Sequence, residues 1–396
     1  MCGGRFQRAA VVGPPGVEFF LFLMKQIVML QGMGNNERGW AQLVSRFGRV
    51  TLIQQGMIQH VETWEAGRCV FSGPETSVVQ SRKFDEATFS SLTFRRSLAR
   101  FREQLRGEPA EVIIAANYSM GLAALWLRWR GKARRVIVLL TDYLPLRGSL
   151  AVRMHRRITT ALNRFAARHA DEVWSVSPRI PTRRVNPQNY VVPICLDDHQ
   201  VPMGDRKEIG YIGYPTPDHA LEIIFEICRR HGIRLNIVGD SPYLQTIKHL
   251  APADTVFHGM LNDASKINRI LSRCFCGYAV YRNTGPQSYS YYGIPSKTFS
   301  YFASNTPVVT SHTAHFTQEI EKYGVGRVVE PQREEIEKAI LQIREQFPKY
   351  FEAIGRFRQT WNATAEQFHR ERFAAHGLFP SAPAESALNS SPMSLS

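Results

Sequence analysis

The chain has 396 residues, 44% of them hydrophobic and 21% charged, the balance of an ordinary globular enzyme and long enough for two cores of under ~200 residues each. It carries a formal charge of +15 with a pI near 9.8. It has no uncharged apolar run long enough for a transmembrane helix.

In chain order, residues 1–23 read as an N-terminal extension outside the fold. The apolar run Val17–Leu23 is short and broken by Glu18, unlike a secretory signal, and Met24 stands directly before the first convincing strand. Lys25–Leu30 is predicted as a strand, followed by a turn holding Gly32, Gly34, Asn35 and Asn36, then a helix over Glu37–Phe47 and a strand over Val50–Gln54. A looser stretch follows to about Arg82, then a long helix over Asp85–Arg106 with Asp85 as its cap. Glu111–Ala116 is a strand, Met120–Arg130 a helix, Arg135–Leu140 a strand ending at Thr141 and Asp142, and Ser149–His169 a helix. Glu172–Val176 and Tyr190–Ile194 are further strands. The strands are continuously apolar rather than alternating, which indicates a parallel sheet buried on both faces.

A polar stretch with Pro202 and Gly204 reads as a linker, and the alternation then restarts. Strands are expected at Glu208–Ile212, Arg234–Val238, Val256–His258, Cys276–Tyr281, Pro307–Thr310 and Val325–Val329. Helices are expected at His219–Arg230, Asp263–Leu271, Ser296–Ala303, Phe316–Tyr323 and Glu334–Gln346. Tyr350–Ala375 is a terminal helical stretch, and the Ser/Ala/Pro-rich tail reads as disordered. Two runs of β-α alternation predict two doubly wound domains facing across a cleft, over 24–195 and 208–346 with a linker at 196–207, a helical segment at 347–377 and a tail at 378–396. The scattered cysteines, with only Cys274 and Cys276 close together, lack the second pair a metal knuckle requires; they read as apolar filler in a reduced cytoplasm, with no metal expected.

In such sheets ligands bind at the carboxyl ends of the strands, so the residues following each strand are the candidates. Ser296, Lys297 and Thr298 open a helix directly after Pro295, where free N–H groups, the helix dipole and the Lys297 charge favour a phosphate. The alternative is an ordinary capped helix with a surface lysine. Asp142, at the end of Arg135–Leu140, is either a base for an acceptor hydroxyl or a loop aspartate capping a turn. Gly34 and Asn35 would let a substrate approach the first strand end closely; Arg38, one turn on, meets an anionic substrate or merely solvent. Tyr281, Arg282, Tyr289, Tyr291 and Tyr292 flank the Lys297 helix and suit either a sugar site or loop packing.

The basic excess is local: between Ser81 and Arg184, 21 Lys and Arg stand against 8 Asp and Glu, and nearly all the cations are Arg, whose planar fork suits phosphate. The helix Ser149–His169 carries Leu150, Met154, Ile158, Leu162 and Phe165 at helical spacing among Arg153, Arg156, Arg157, Arg164 and Arg168. That pattern suits a helix docked on anionic lipid, the preferred reading, and also one packed on a sheet.

The run Gly293-Ile294-Pro295-Ser296-Lys297-Thr298 to Ala303, followed by Pro307-Val308-Val309, resembles the donor-site signature of GT-B glycosyltransferases of the group 1, family-four-like kind. Tyr211-Ile212-Gly213, Asn236 to Asp240 and Val256 to Leu261 fit its surroundings, so residues 207–330 carry most of the likeness; Thr141-Asp142-Tyr143 and Ala170 to Ser177 carry a weaker one. Lys297 with its preceding loop, and the tail composition, resemble the xanthan-type glucuronosyltransferases more distantly. The resemblance implies a GT-B α/β fold of two Rossmann-like domains. It implies a nucleotide-sugar donor, UDP-linked first of all, held by Gly213, Gly239, Met260, Leu261, Tyr281, Arg282, Ser296, Lys297, Thr298 and Ser300. It implies an acceptor, lipid-linked or glycan, near Gly34, Asn35 and Arg38, with Asp142 as base and no further cofactor. Many relatives carry a glutamate where Ser300 stands and another at Tyr292; both are absent here, which leaves an inactive scaffold as one reading. The expected setting is cell-surface or exopolysaccharide synthesis at the inner, anionic face of the plasma membrane. A nucleotide-sugar epimerase on the same scaffold, or a basic nucleic-acid- or membrane-binding protein without catalysis, are the rival readings; no nucleic-acid recognition motif is present.

Overall fold

The computed structural model describes residues 26–31, 37–55, 58–73, 76–77, 109–141, 143, 145–146, 148–196, 203–261, 264–312 and 316–378. The expected extension 1–23, the helix at 85–106, the turn with Gly34 and Asn35, Asp142, the middle of the linker and the tail lie outside the described residues.

Among the described residues the first sheet has nine strands. Its parallel part runs in the order β2 (Arg49–Gln55), β1 (Gln26–Gln31), β6 (Ala110–Ala116), β7 (Ala133–Leu140), β8 (Glu172–Ser175) and β9 (Asn189–Val191). The helices α1 (Glu37–Val44), α2 (Asn117–Trp129) and α3 (Leu150–His169) follow β1, β6 and β7. The stretch expected to be loose is an antiparallel edge: β3 (Ile58–Glu65) pairs with β2, β4 (Arg68–Ser72) and the short β5 (Thr76–Ser77). Its tight turn places Ala66 and Gly67 both at positive φ, 47° and 79°, the handedness that fits a two-residue hairpin to strand twist.

The second sheet has six parallel strands in the order β12 (Val256–Gly259), β11 (Leu235–Val238), β10 (Glu208–Ile212), β13 (Cys274–Ala279), β14 (Val308–Thr310) and β15 (Gly326–Val328). Its helices are α4 (Leu221–His231), α5 (Pro242–Ile247), α6 (Ala264–Leu271), α7 (Tyr289–Tyr292), α8 (Ser296–Ala303), α9 (Phe316–Tyr323) and α10 (Arg333–Glu345). The strand order reverses between β1 and β6 in one sheet and between β10 and β13 in the other, and each reversal opens a crevice at the carboxyl edge. The residues of β8, β11, β13 and β14 are all buried, as in a parallel sheet covered on both faces.

The last helix, α11 (Phe347–Ala375), joins the two halves. Phe347 and Tyr350 pack in the second-sheet core, while Ala365 and Phe373 lie in the first-sheet core. Between them Trp361 packs in a cluster holding residues from both sheets, and its indole donates to the Ile194 carbonyl at 2.6 Å. Asn362 exchanges two hydrogen bonds with the Leu196 backbone at 3.0 Å. At the far end buried Glu172 accepts from Trp174 and Arg372 and lies beside His376. Burial pushes the Glu172 carboxyl up, but these hydrogen bonds outweigh it and hold it below its ordinary value.

Candidate active site

At the reversal of the second sheet, Gly213 follows the last residue of β10 and Gly239 that of β11, and the two backbones touch. A Cβ on Gly239 would lie 1.8 Å from the Gly213 carbonyl oxygen, at φ 139°, so only glycine serves there. Gly239 N–H donates to the Gly259 carbonyl at 2.8 Å, which ties the end of β12 to the same edge. Met260, 52% exposed, and half-buried Leu261 follow directly.

Helix α8 starts at this edge. Its Tyr301 ring lies where Gly277 has no side chain; a Cβ there would meet the ring at 2.5 Å. The Tyr301 hydroxyl accepts from the Ile212 N–H at 3.1 Å and donates to the Tyr278 carbonyl at 3.0 Å, so it pins the two strands on either side of the crevice. The helix start therefore has a fixed height above the sheet. Ser296 is exposed, Thr298 is buried, and Ser300 is half-buried.

Lys297 is 8% exposed, not a surface lysine. Its Nζ donates to the Tyr211 hydroxyl at 3.3 Å and lies 4.4 Å from the Tyr211 ring centroid and 5.2 Å from that of Tyr281. Its Cε would be 3.5 Å from a Cβ on Gly213. Burial pulls the ammonium down to about 7, with Asp218 pulling the other way. The His219 ring completes the surround, 4.9 Å from Tyr281 and 5.7 Å from Tyr211. Burial, then the Lys297 charge, pull His219 down to about 2, so its ring is neutral and its Nδ1 accepts from the Thr216 N–H at 3.0 Å. Asp218 accepts from the Asn283 N–H at 2.9 Å, and its carbonyl accepts from the Arg282 N–H at 2.7 Å.

Gly213, Gly239, Tyr281 and Lys297 thus come together. Arg282 turns aside: its guanidinium is half exposed and paired with Glu222 at 2.9 Å. Asp218 and His219 were not among the residues expected at the site, and Tyr211 was named only as part of the Tyr211-Ile212-Gly213 motif. The available signal was Thr216-Pro217-Asp218-His219, a capping box in which histidine takes the place of the usual glutamate or glutamine.

Opposite, Thr141 follows the last residue of β7, next to Asp142 in sequence. The Asn117 side chain holds Thr141 through both its hydroxyl, at 3.0 Å, and its N–H, at 3.2 Å, while Asn117 itself adopts φ 57°. Tyr143 meets Tyr292 across the crevice with ring centroids 4.5 Å apart, and Arg179 lies over the Tyr291 ring at 4.4 Å. The tyrosines therefore bridge the two halves. Arg38 lies within α1.

The last turns of α3 are its only buried part, through Asn163, Ala166 and Ala167; Leu150, Val152, Met154, Ile158 and Phe165 are all exposed. Of the two readings of this helix, the alternative of an ordinary helix packed along a sheet is not met over its first three turns. No helix among the described residues is long and apolar enough to cross a membrane.

Residues 40–183 match the sequence profile of the glycosyl transferase 4-like domain. No curated protein sequence matches the chain. Among solved structures, sucrose-phosphate synthase from Thermosynechococcus elongatus is similar at 14% identity with a TM-score of 0.62, over 89% of this chain and 100% of that one. Anabaena Alr3699/HepE in complex with UDP and glucose is similar at 12% identity with a TM-score of 0.57, over 89% and 100%. A UDP-N-acetylglucosamine 2-epimerase assignment from Listeria monocytogenes is similar at 13% identity with a TM-score of 0.52, over 91% and 98%.

Proposed function

From a chain that has the GT-B fold and the glycosyltransferase character of its first-half domain, we propose a transferase that moves a sugar from a nucleoside-diphosphate donor, UDP-linked first of all, to an acceptor hydroxyl. The observation that carries this reading is Lys297: a cation buried at a helix start, at the reversal of the second sheet, beside a backbone edge that only glycine can form. Burial holds this amine near its titration point at neutral pH. A diphosphate would restore its charge, and the low-polarity surround would strengthen the attraction.

The donor's diphosphate lies at Ser296–Thr298 and its base near Met260 and Leu261. Tyr281, Gly213 and Gly239 wall the phosphates, and Ser300 is within the same helix. Arg282, paired to Glu222, serves the loop rather than the phosphates. In an inverting transfer the acceptor oxygen forms its bond to the anomeric carbon as the bond to the diphosphate oxygen breaks. Asp142 takes the acceptor proton, and the electron pair leaves with the nucleoside diphosphate toward Lys297. The neighbours of Asp142 support this role: Thr141 is clamped by Asn117, and Tyr143 meets the donor half. Gly34, Asn35 and Arg38 belong to the acceptor side. The reading needs no metal, so activity is expected to persist in excess chelator. A lipid-linked or polysaccharide acceptor, at the inner face of an anionic membrane, in cell-surface polysaccharide synthesis, completes it; the exposed apolar and basic face of α3 supports the membrane part.

Thermal stabilisation by a panel of nucleoside diphosphates tests the donor. Binding at 100 times the dissociation constant adds about 2.7 kcal/mol. One diphosphate shifting the wild type but not Lys297→Ala is the expected result; none shifting either would remove the nucleotide donor. Sugar transfer lost in Asp142→Asn with donor binding intact would support the base. Turnover of donor without any acceptor would instead favour an epimerase.

A further inference from the structure

Between α3 and the loop residues Tyr143 and Leu146 lies a cavity of about 500 Å³. Arg157, Arg164 and Arg168 line it from the helix, together with Phe165; Tyr143 and Leu146 line it from the loop. Among the described residues that line it there is no carboxylate, and among the described residues none of the three arginines has an ion-pair partner. The neighbouring Arg156 is used differently: it donates to the Pro145 carbonyl at 2.6 Å and holds the loop against the helix. Three guanidiniums around one concave space repel one another unless an anion sits among them, and their planar forks match phosphate oxygens. The walls are also apolar, and the exposed Leu150, Met154 and Ile158 continue the Phe165 face along the helix beyond the cavity.

We propose that this cavity is a subsite for the phosphate group of an amphiphilic acceptor, whose apolar chain runs out along the Leu150–Ile158 face. The proposal rests on the transferase reading and deepens it on the acceptor side. Tyr143 follows Asp142 in sequence and meets Tyr292 of the donor half at 4.5 Å, so the cavity wall adjoins the strand end where an acceptor hydroxyl must arrive. A phosphate held at Arg157, Arg164 and Arg168 would position the attached glycan toward that strand end, and the apolar face would keep the chain in a lipid surface.

The test is direct binding of decyl diphosphate, kept below its micelle concentration, to the full chain. The wild type is expected to bind it at least ~10-fold more tightly than inorganic pyrophosphate, and the triple variant Arg157→Gln, Arg164→Gln, Arg168→Gln to bind it about 100-fold more weakly. Ala161→Trp, which fills the cavity without touching a charge, is expected to block binding as well. Circular dichroism and thermal melts check that both variants fold. Nucleoside-diphosphate stabilisation retained in both variants separates this site from the Lys297 site. Unchanged decyl diphosphate binding in the folded variants would overturn the proposal, as would equal binding of uncharged decyl maltoside. Pyrophosphate binding as tightly as decyl diphosphate would overturn its amphiphile part and leave a site for a free phosphate. If the cavity binds as expected but no nucleoside diphosphate stabilises the protein, the transferase reading fails while the anion site stands.

Discussion

Lys297 and Arg157 are both cations at a candidate site, and the fold treats them in opposite ways. Lys297 is walled in by Tyr211, Tyr281 and His219 and pulled down to about 7 by burial. Arg157, Arg164 and Arg168 stand exposed on a helix of which only Asn163, Ala166 and Ala167 are buried. A buried amine costs folding energy and gains a short, unscreened attraction to whatever replaces its lost water. An exposed guanidinium costs little and offers a charge that salt can screen. On the function proposed above, the Lys297 site is built in advance for a small rigid ligand, and the α3 face is left open for a larger one whose ordering happens on binding.

The largest effect expected from this difference lies in the backbone of the built half. Gly239→Ala would set a methyl group 1.8 Å from the Gly213 carbonyl in a left-handed conformation. It should cost about 4 kcal/mol in urea unfolding. A cost under about 1 kcal/mol would mean that this edge is pliable and the contrast with α3 is false.

Next comes the buried amine itself. Its folded value of about 7 lies below the ordinary 10.5, so between those pH values the unfolded chain holds a proton that the folded chain has released. Stability should therefore rise with pH across that window. Lys297→Met removes the penalty: we expect a gain of about 2 kcal/mol at pH 7, shrinking toward pH 10, together with loss of diphosphate binding. Parallel melts of both proteins at pH 7 and pH 9.5 check this. A stability difference that does not change with pH would show that the amine is solvated.

Much of the built half was legible in the sequence because its signals are local. Pro295 before Ser296, Lys297 and Thr298, then an apolar strand over Pro307–Thr310, fixes a helix start at a sheet edge within a few residues. The strand and helix at Glu208–Ile212 and Ser296–Ala303 match their expected ends. What was not legible depends on distant partners or unusual turn chemistry. Nothing near Lys297 in the chain says that Tyr211 and His219 will enclose it. The hairpin at Ala66 and Gly67 lacks the asparagine or aspartate that normally marks such a turn. The return of α11 to the first sheet is decided by Trp361 reaching the Ile194 carbonyl, a contact between residues far apart in sequence. The open face of α3 was ambiguous because lipid docking and sheet packing demand the same apolar periodicity.

A smaller effect is expected where the two halves meet. Tyr143 and Tyr292 lie at 58° with centroids 4.5 Å apart, a tilted pair of the kind that contributes about 1 kcal/mol beyond area burial. A double-mutant cycle of Tyr143→Leu and Tyr292→Leu should return a coupling near that size. A coupling near zero would mean that the halves do not hold each other closed through these rings.

The smallest stability effect should come from the open half, where absence of effect is itself informative. Replacing Arg157, Arg164 and Arg168 together by glutamine removes three like charges that have no ion-pair partner among the described residues, from positions already in water. Unfolding free energy should move by no more than about 0.5 kcal/mol, with any change toward greater stability as mutual repulsion is relieved. The same substitution should sharply reduce association with vesicles containing anionic lipid, and in the wild type that association should weaken as salt rises past the Debye regime. Diphosphate binding at Lys297, shielded by its rings, should show much less salt dependence. If the triple variant were instead strongly destabilised, the arginines would be structural, and the distinction between a prebuilt half and an open one would fall.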